Sequence, residues 1–291
     1  MNDFERFLTE ACPRVDAELE QLLPDDTRAG ELAGAMRHIV FSGGKRLRPA
    51  LVLLACEHAG GRAQDALGAA AAVELVHAYS LLHDDLPCMD DGQLRRGSPC
   101  AHRVYGEAVA LLAGDALLTL AFEALARRTP PDRPVAGMAV ALARAAGWQG
   151  MVGGQVADLA AEGALPDVER VHAIHAAKTA AMISVSFRLG ALAGGGAPEL
   201  VERLAAAGQD LGLAFQIVDD LLDLQGSTEE LGKQAQADAE RGKLTWPAAV
   251  GEAAARVHAA ELVEGAMTRV GPGPGHARLT ALGAWLLPRR S

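Results

Sequence analysis

The chain has 291 residues, half of them hydrophobic and only 4% aromatic, and carries a formal net charge of −10. That acidic balance argues against a nucleic-acid partner, and the alanine-rich, aromatic-poor composition favours helix over strand. The four cysteines, Cys12, Cys56, Cys88 and Cys100, form no CxxC pair and no disulfide-rich pattern, which predicts a reducing, cytoplasmic setting.

Taken in chain order, nearly every segment between turn signals repeats at helical period. "DFERFLTEACPRVDAELEQLL" opens the chain, "GELAGAMRHIVFSGG" stops at Gly-Gly, and "RPALVLLACEHAGG" runs from an early proline to another Gly-Gly. A long apolar helix from Ala66 to His83 leads into "HDDLPCMDDGQLRRG"; the next helix, Glu107 to Arg128, is ended by "TPPDRP". Pro134 to Leu159 reads as one helix, Val168 to Ala193 as another, Pro198 to Leu224 as a third, and the last two flank "GPGPG". Sustained alternation with β-branched residues is absent, so the expectation is an all-α, single-domain bundle of long helices spanning residues 1–291. The N-terminus is acidic and amphipathic, unlike a signal peptide. No apolar run reaches the ~18 residues of a membrane span without an interrupting charge or histidine.

Two acidic boxes stand out on this apolar background. The first holds Asp84, Asp85, Asp90 and Asp91; the second, "QIVDDLLDLQG", holds Asp219, Asp220 and Asp223. Asp219 and Asp223 are four apart and share a helix face, while Asp220 is turned about 100° away. Pro87 interrupts the first box, so Asp84 and Asp85 should end a helix and Asp90 should return toward them from an irregular turn. Clustered carboxylates resist ionising side by side and call for a cation. Two such boxes on facing helices suit Mg²⁺, which keeps waters and prefers to be shared with substrate phosphates. A single box would serve equally as a solvated helix end. The pair His172 and His175 has no third ligand nearby and reads as surface rather than zinc site.

Basic residues alternate with the boxes along the chain. Lys45, Arg46 and Arg48 lie between a Gly-Gly turn and a helix start, a setting suited to an anion; Arg46 itself reads as a solvated cation. Arg95 and Arg96 follow the first box, Lys178 and Thr179 sit mid-helix among small apolar residues, and Lys233 and Lys243 follow the second box. Carboxylates holding metal, metal holding phosphate and cations closing the other side make up the logic of diphosphate chemistry.

In their order and wording, "GGKRLRP", "HAYSLLHDDLPCMDDGQLRRG", "LAGDALLTLAFEAL", "MVGGQVADLAAEG", "KTAAMISVSFRLGA", "AFQIVDDLLDL" and "GKLTWPAAVG" resemble the serial motifs of the trans (E) isoprenyl diphosphate synthases, the bacterial farnesyl diphosphate synthases most of all. The match runs from about Gly43 to Gly251. The resemblance implies antiparallel helices around a deep central cavity, a homodimer, and head-to-tail condensation of isopentenyl diphosphate with dimethylallyl or geranyl diphosphate under three Mg²⁺. By matched position it implies Asp84, Asp85, Asp90, Asp219 and Asp223 as metal ligands. It implies Gly44, Lys45, Arg48, His77 and Arg96 as the isopentenyl diphosphate site, and Arg95, Lys178, Lys233 and Lys243 as the clamp on the allylic diphosphate. Thr179 and Gln216 would stabilise the developing cation, with Lys178 beside them. "GKLTWP" departs in carrying Trp246 where many bacterial members have tyrosine. A terpene cyclase would share the ionisation chemistry but would have no use for "GGKRLRP", and a noncatalytic subunit would have no use for both boxes.

Product length is read from the helix before Asp84. Tyr79 lies five residues earlier with Ser80 beside it, a little over one turn deeper, and a tyrosine there is equally a cavity floor or plain core. The resemblance favours the floor and the fifteen-carbon farnesyl diphosphate, with geranylgeranyl or geranyl diphosphate as the alternatives.

Overall fold

The computed structural model describes residues 1–225 and 243–287. Helix α1 (Asp3–Leu22) is opened by a capping box: the Asn2 side chain accepts from Glu5 N, and the Glu5 carboxylate accepts from Asn2 N at 2.7 Å. There follow α2 (Asp26–Ala29), α3 (Glu31–Val40), α4 (Leu47–His58), a 3₁₀ turn (Ala63–Ala66) and α5 (Leu67–Asp84). After the first acidic box come a two-residue antiparallel ladder, Leu94–Arg95 with Ser98–Pro99, and then α6 (Ala101–Tyr105), α7 (Glu107–Arg128), α8 (Val135–Ala146), α9 (Met151–Leu159) and α10 (Val168–His175). A π-helical turn (Ala176–Ala180) joins α10 to α11 (Ala181–Ala193). The long α12 (Pro198–Gln225), the short α13 (Trp246–Val250), α14 (Glu252–Val270) and α15 (His276–Leu286) complete the described fold.

The all-α expectation holds, and the reason is visible in α5. Ala69, Ala70, Ala71, Ala72, Val73, Leu75 and Val76 are all fully buried, so α5 is enclosed on every side and packs most heavily on α7, with α4 and α11 also against it. Small side chains let backbones come close: a Cβ on Gly190 would lie 2.1 Å from Val52 O, so glycine sets the approach of α11 to α4. By length and composition, the stretches Ala63–Asp84 and Glu107–Arg128 could cross a membrane. The first is mostly buried inside the bundle, and Glu74, His77 and Asp115 interrupt the two.

The reading of Pro134–Leu159 as one helix is corrected. Gly147 (φ −84, ψ −156) and Gly150 (φ −132, ψ −123) leave helical geometry and divide it into α8 and α9, because glycine gives the chain that freedom and supplies no side chain to hold the helix. Val168–Ala193 is continuous but widened by the π turn.

Candidate active site

The first acidic box forms as the sequence predicts. Asp84 is the last residue of α5, Asp85 caps it, and the chain doubles back so that Asp90 N donates to Asp84 O at 2.8 Å. The two neighbouring carboxylates then part company. Asp85 is buried and gripped by Arg95, whose Nε lies 3.1 and 3.2 Å from its two oxygens and whose Nη2 lies 2.5 Å from Oδ1; the Cys100 thiol bonds the same carboxylate. The Asp84 carboxylate has no hydrogen bond or ion pair among the described residues. Burial pushes it up to about 6 and Asp90 pushes the same way, while Lys178, Arg95 and Lys243 pull it down. Asp84 therefore answers to the cleft, and Asp85 answers to Arg95. The residues expected as a metal ligand, Asp85, and as a diphosphate clamp, Arg95, are thus paired with each other here.

The second box, Asp219, Asp220 and Asp223, lies on α12. Asp220 is 3% exposed, accepts from Gln216 Nε2 at 3.0 Å and from Trp246 N at 2.8 Å, and has His175 Nε2 at 3.6 Å. His175 is thus buried against a carboxylate, which corrects its reading as a surface histidine. Gln216 Oε1 accepts from Thr179 Oγ1 at 2.7 Å, and Lys178 Nζ lies 2.6 Å from Asp158 Oδ2. Lys178, Thr179, Gln216 and Lys243 line one pocket. Lys178 and Thr179 ride on the π turn, a device that re-aims side chains at functional positions. Two glycines press on that turn: a Cβ on Gly154 would lie 2.4 Å from Lys178 N, and one on Gly212 would lie 2.5 Å from Ala180 Cα.

A second, basic group sits around the turn before α4. Gly44 (φ 119) lies against Arg96, whose Nη1 donates to Gly43 O. Arg48 has a buried Nε with no hydrogen-bond partner; burial and Arg96 pull its pKa down, and Glu74 and Asp219 oppose this. His77 is held well below its usual value by burial, then by Arg48, Arg96, Arg95 and Arg46, so it is neutral near pH 7. Gly44, Arg48, His77 and Arg96 are therefore brought together as expected, and their surplus of positive charge suits an anion. Lys45 is not brought in: it is exposed, with its ammonium 5.4 Å from the Trp285 ring centre. Lys233 lies outside the described residues.

Arg46 is the largest correction to a single residue. It is 6% exposed, not solvated, and its guanidinium donates to Asp16 at 2.8 Å, to Glu74 at 2.8 Å and to Val40 O at 2.6 Å. The signal that could have exposed it is Glu74, an acid inside an otherwise apolar helix that must have a buried partner. Tyr79 is 5% exposed and meets His83 edge-on at 5.6 Å. His83 Nε2 reaches Leu111 O at 3.0 Å. Burial and Asp84 push the Tyr79 phenol up to about 12. Ser80 Oγ donates to His77 O at 2.9 Å.

The donors fit Mg²⁺: they are hard carboxylate oxygens, and Asp84 is a half-buried acid awaiting a cation. No three acidic, histidine or cysteine side chains converge on one point among the described residues.

Residues 30–268 match the family model described as polyprenyl synthetase. The chain belongs to the polyprenyl synthetase family. It is 44% identical over 256 residues to geranylgeranyl pyrophosphate synthase 11, chloroplastic, of Arabidopsis thaliana, covering 86% of this chain and 71% of that one. Its fold superposes on an FPP/GFPP synthase from Zymomonas mobilis with a TM-score of 0.87 and 35% identity, covering 98% and 99% of the two chains. A geranyltransferase from Helicobacter pylori, complexed with magnesium and isoprenyl diphosphate, aligns with a TM-score of 0.83 and 30% identity over 98% and 97%. As a polyprenyl synthetase the chain is a prenyltransferase of a magnesium-dependent family.

Proposed function

We propose that this polyprenyl synthetase condenses isopentenyl diphosphate with allylic diphosphates and releases the twenty-carbon geranylgeranyl diphosphate as its main product. The observation that carries the reaction is the pairing of two unlike sites: a carboxylate-and-lysine cleft around Asp84, and a basic cluster around Arg48, which burial and Arg96 hold below its usual pKa against the pull of Glu74 and Asp219. A terpene cyclase would have no second diphosphate for Arg48, His77 and Arg96 to hold.

Asp84, Asp90, Asp219 and Asp223 would hold the metal, three ions per site, and bound Mg²⁺ supplies charge neutralisation on the departing diphosphate. Lys178, Lys243 and Arg95 would orient the allylic diphosphate on the other side. Neutral His77 would add a hydrogen bond to the isopentenyl diphosphate without adding to the crowding of cations. Thr179 and Gln216 turn oxygens toward the carbon that becomes positive as the allylic C–O bond breaks, and stabilise it only as the charge develops. The released diphosphate takes the proton lost after carbon–carbon bond formation.

The farnesyl expectation gives way to the longer product on two grounds. The Arabidopsis relative is a geranylgeranyl pyrophosphate synthase. In addition, the residue one turn beneath Asp84 is Ser80, at i−4, whereas Tyr79 is rotated about 140° from Asp84 and meets His83 edge-on. We also propose a homodimer, supported by the apolar face of α7, where Leu111 and Leu112 are 44% and 57% exposed. The test is incubation with labelled isopentenyl diphosphate, dimethylallyl diphosphate and Mg²⁺, with product lengths separated after dephosphorylation. A twenty-carbon main product is expected; a fifteen-carbon end product would restore the farnesyl reading, and no condensation would remove the proposal.

A further inference from the structure

We infer that Asp220 is a positioning residue: it holds the side-chain amide of Gln216 in one orientation and ties α12 to the segment that carries Lys243. The inference rests on the proposed role of Gln216 and Thr179 at the developing cation.

The argument starts from what a buried carboxylate can do. Ionised, it only accepts hydrogen bonds. Asp220 Oδ1 lies 3.0 Å from Gln216 Nε2, so Gln216 must present its NH₂ group on that side and its oxygen on the other. There Thr179 Oγ1 donates to Gln216 Oε1 at 2.7 Å. The network has one consistent polarity. Reversing the amide would set its oxygen against the Asp220 carboxylate. Thr179 commits its proton to Gln216, so its lone pairs, like the amide oxygen, remain for the positive charge in the pocket. The second oxygen of Asp220 accepts from Trp246 N at 2.8 Å. Trp246 is 5% exposed, opens α13, and lies three residues after Lys243, which lines the same pocket as Thr179 and Gln216. One carboxylate thus sets both the cation-facing oxygen and the entry of the lysine segment. Asp219 is turned about 100° from Asp220 on α12.

The test compares Asp220→Asn with Gln216→Leu and the double variant Asp220→Asn/Gln216→Glu. Asparagine keeps the size but offers Gln216 an NH₂ group as well as an oxygen, so the amide can turn over. Asp220→Asn should lower kcat by about 10- to 100-fold, as expected when a preorganised polar group at the reacting centre is lost. Both KM values and the Mg²⁺ concentration for half-maximal activity should stay within about twofold. In the double variant the carboxylate introduced at position 216 again turns an oxygen to Thr179, and it accepts from the amide introduced at position 220, so a large part of kcat should return. A tenfold shift in the Mg²⁺ midpoint for Asp220→Asn would make Asp220 a metal ligand and overturn the inference. If Gln216→Leu lowers kcat while Asp220→Asn does not, the inference fails and the reading of Gln216 stands. If Gln216→Leu leaves kcat unchanged, that reading fails and takes the inference with it. Should Asp220→Asn not fold by circular dichroism, Asp220→Glu keeps the charge but shifts the acceptor by one methylene: the same fall in kcat at an unchanged Mg²⁺ midpoint supports the inference, and unchanged kcat overturns it.

Discussion

Replacing Arg46 by methionine tests whether the turn that carries the proposed diphosphate-binding cluster is tied down from within. The Arg46 and Glu74 side chains are each 4% exposed and lie 2.8 Å apart, whereas Asp16, the other carboxylate on Arg46, is 44% exposed. Methionine fills much of the same volume but removes three donors. Asp16 can turn to water. Glu74 cannot, because it sits on α5 inside the bundle. Breaking one side of a buried pair costs about 3–5 kcal/mol, mostly as the uncompensated charge left behind. For a chain of this size each kcal/mol moves Tm by roughly 2–4 °C, so a fall of about 6–20 °C is expected by differential scanning calorimetry or a dye-based melt. The double variant Arg46→Met/Glu74→Leu removes the stranded charge and should recover more than half of the loss, since a well-packed apolar pair often matches a buried ion pair. Isopentenyl diphosphate KM should rise in the single variant, because Arg46 (φ 49) fixes the turn leading to Arg48. A single variant melting within about 2 °C of the parent, or a double variant no better than the single, would refute the account of Arg46 as a paired internal anchor.

Further outcomes follow from the same geometry. Asp84 titrates near about 6, and Mg²⁺ competes with its proton, so the Mg²⁺ midpoint should rise as pH falls from 7 to 5; a flat profile would remove Asp84 from the metal site. The same shift has a fixed sign for stability: the folded state holds a proton that the unfolded state has lost between about pH 4 and 6, so metal-free protein should lose stability as pH rises through that window and regain it with Mg²⁺. Gly154→Ala forces a Cβ within 2.4 Å of Lys178 N, and should destabilise by about 1–3 kcal/mol and cut turnover by displacing the π turn; normal turnover would show that the turn's position does not matter. Cys88 is exposed, while burial pushes the Cys56 and Cys100 thiols up to about 11 and 12, so maleimide at pH 7.5 should label Cys88 first and spare the other two, as mass spectrometry of digests would reveal. Ser80→Phe should block the space one turn below Asp84 and shorten the main product to fifteen carbons or fewer, whereas Tyr79→Ala should leave it at twenty; the reverse pattern would return the stop to Tyr79.

The helices were legible because their signals are local. Apolar spacing, Gly-Gly stops and early prolines act within one or two turns, and Glu107–Arg128 matches the structure at both ends. The one merged helix failed where glycines at 147 and 150 made a helical period compatible with a break. The course of the first acidic box was legible for the same reason, since Pro87 acts on its own neighbours and returns Asp90 to Asp84.

What the sequence could not separate are residues of one chemistry whose partners lie far along the chain. Arg46 and Arg48 are two apart, yet the first is saturated by Asp16 and Glu74, about thirty residues away on either side, and the second keeps an unpartnered Nε. Asp84 and Asp85 are adjacent, yet one helical step past the end of α5 hands Asp85 to Arg95. Asp219 and Asp220 divide in the same way, because the rotation that leaves Asp219 beside Asp223 turns Asp220 toward Trp246. In each pair the motif supplies two like charges, and the fold ties one of them to buried partners. A motif of charged residues therefore mixes charges held by partners inside the fold with charges held otherwise, and burial of the partner side chain marks the first kind. Glu74, alone among apolar residues on α5, was the one partner that could have been read in advance, because an isolated acid in a buried helix requires a cation from somewhere else in the chain.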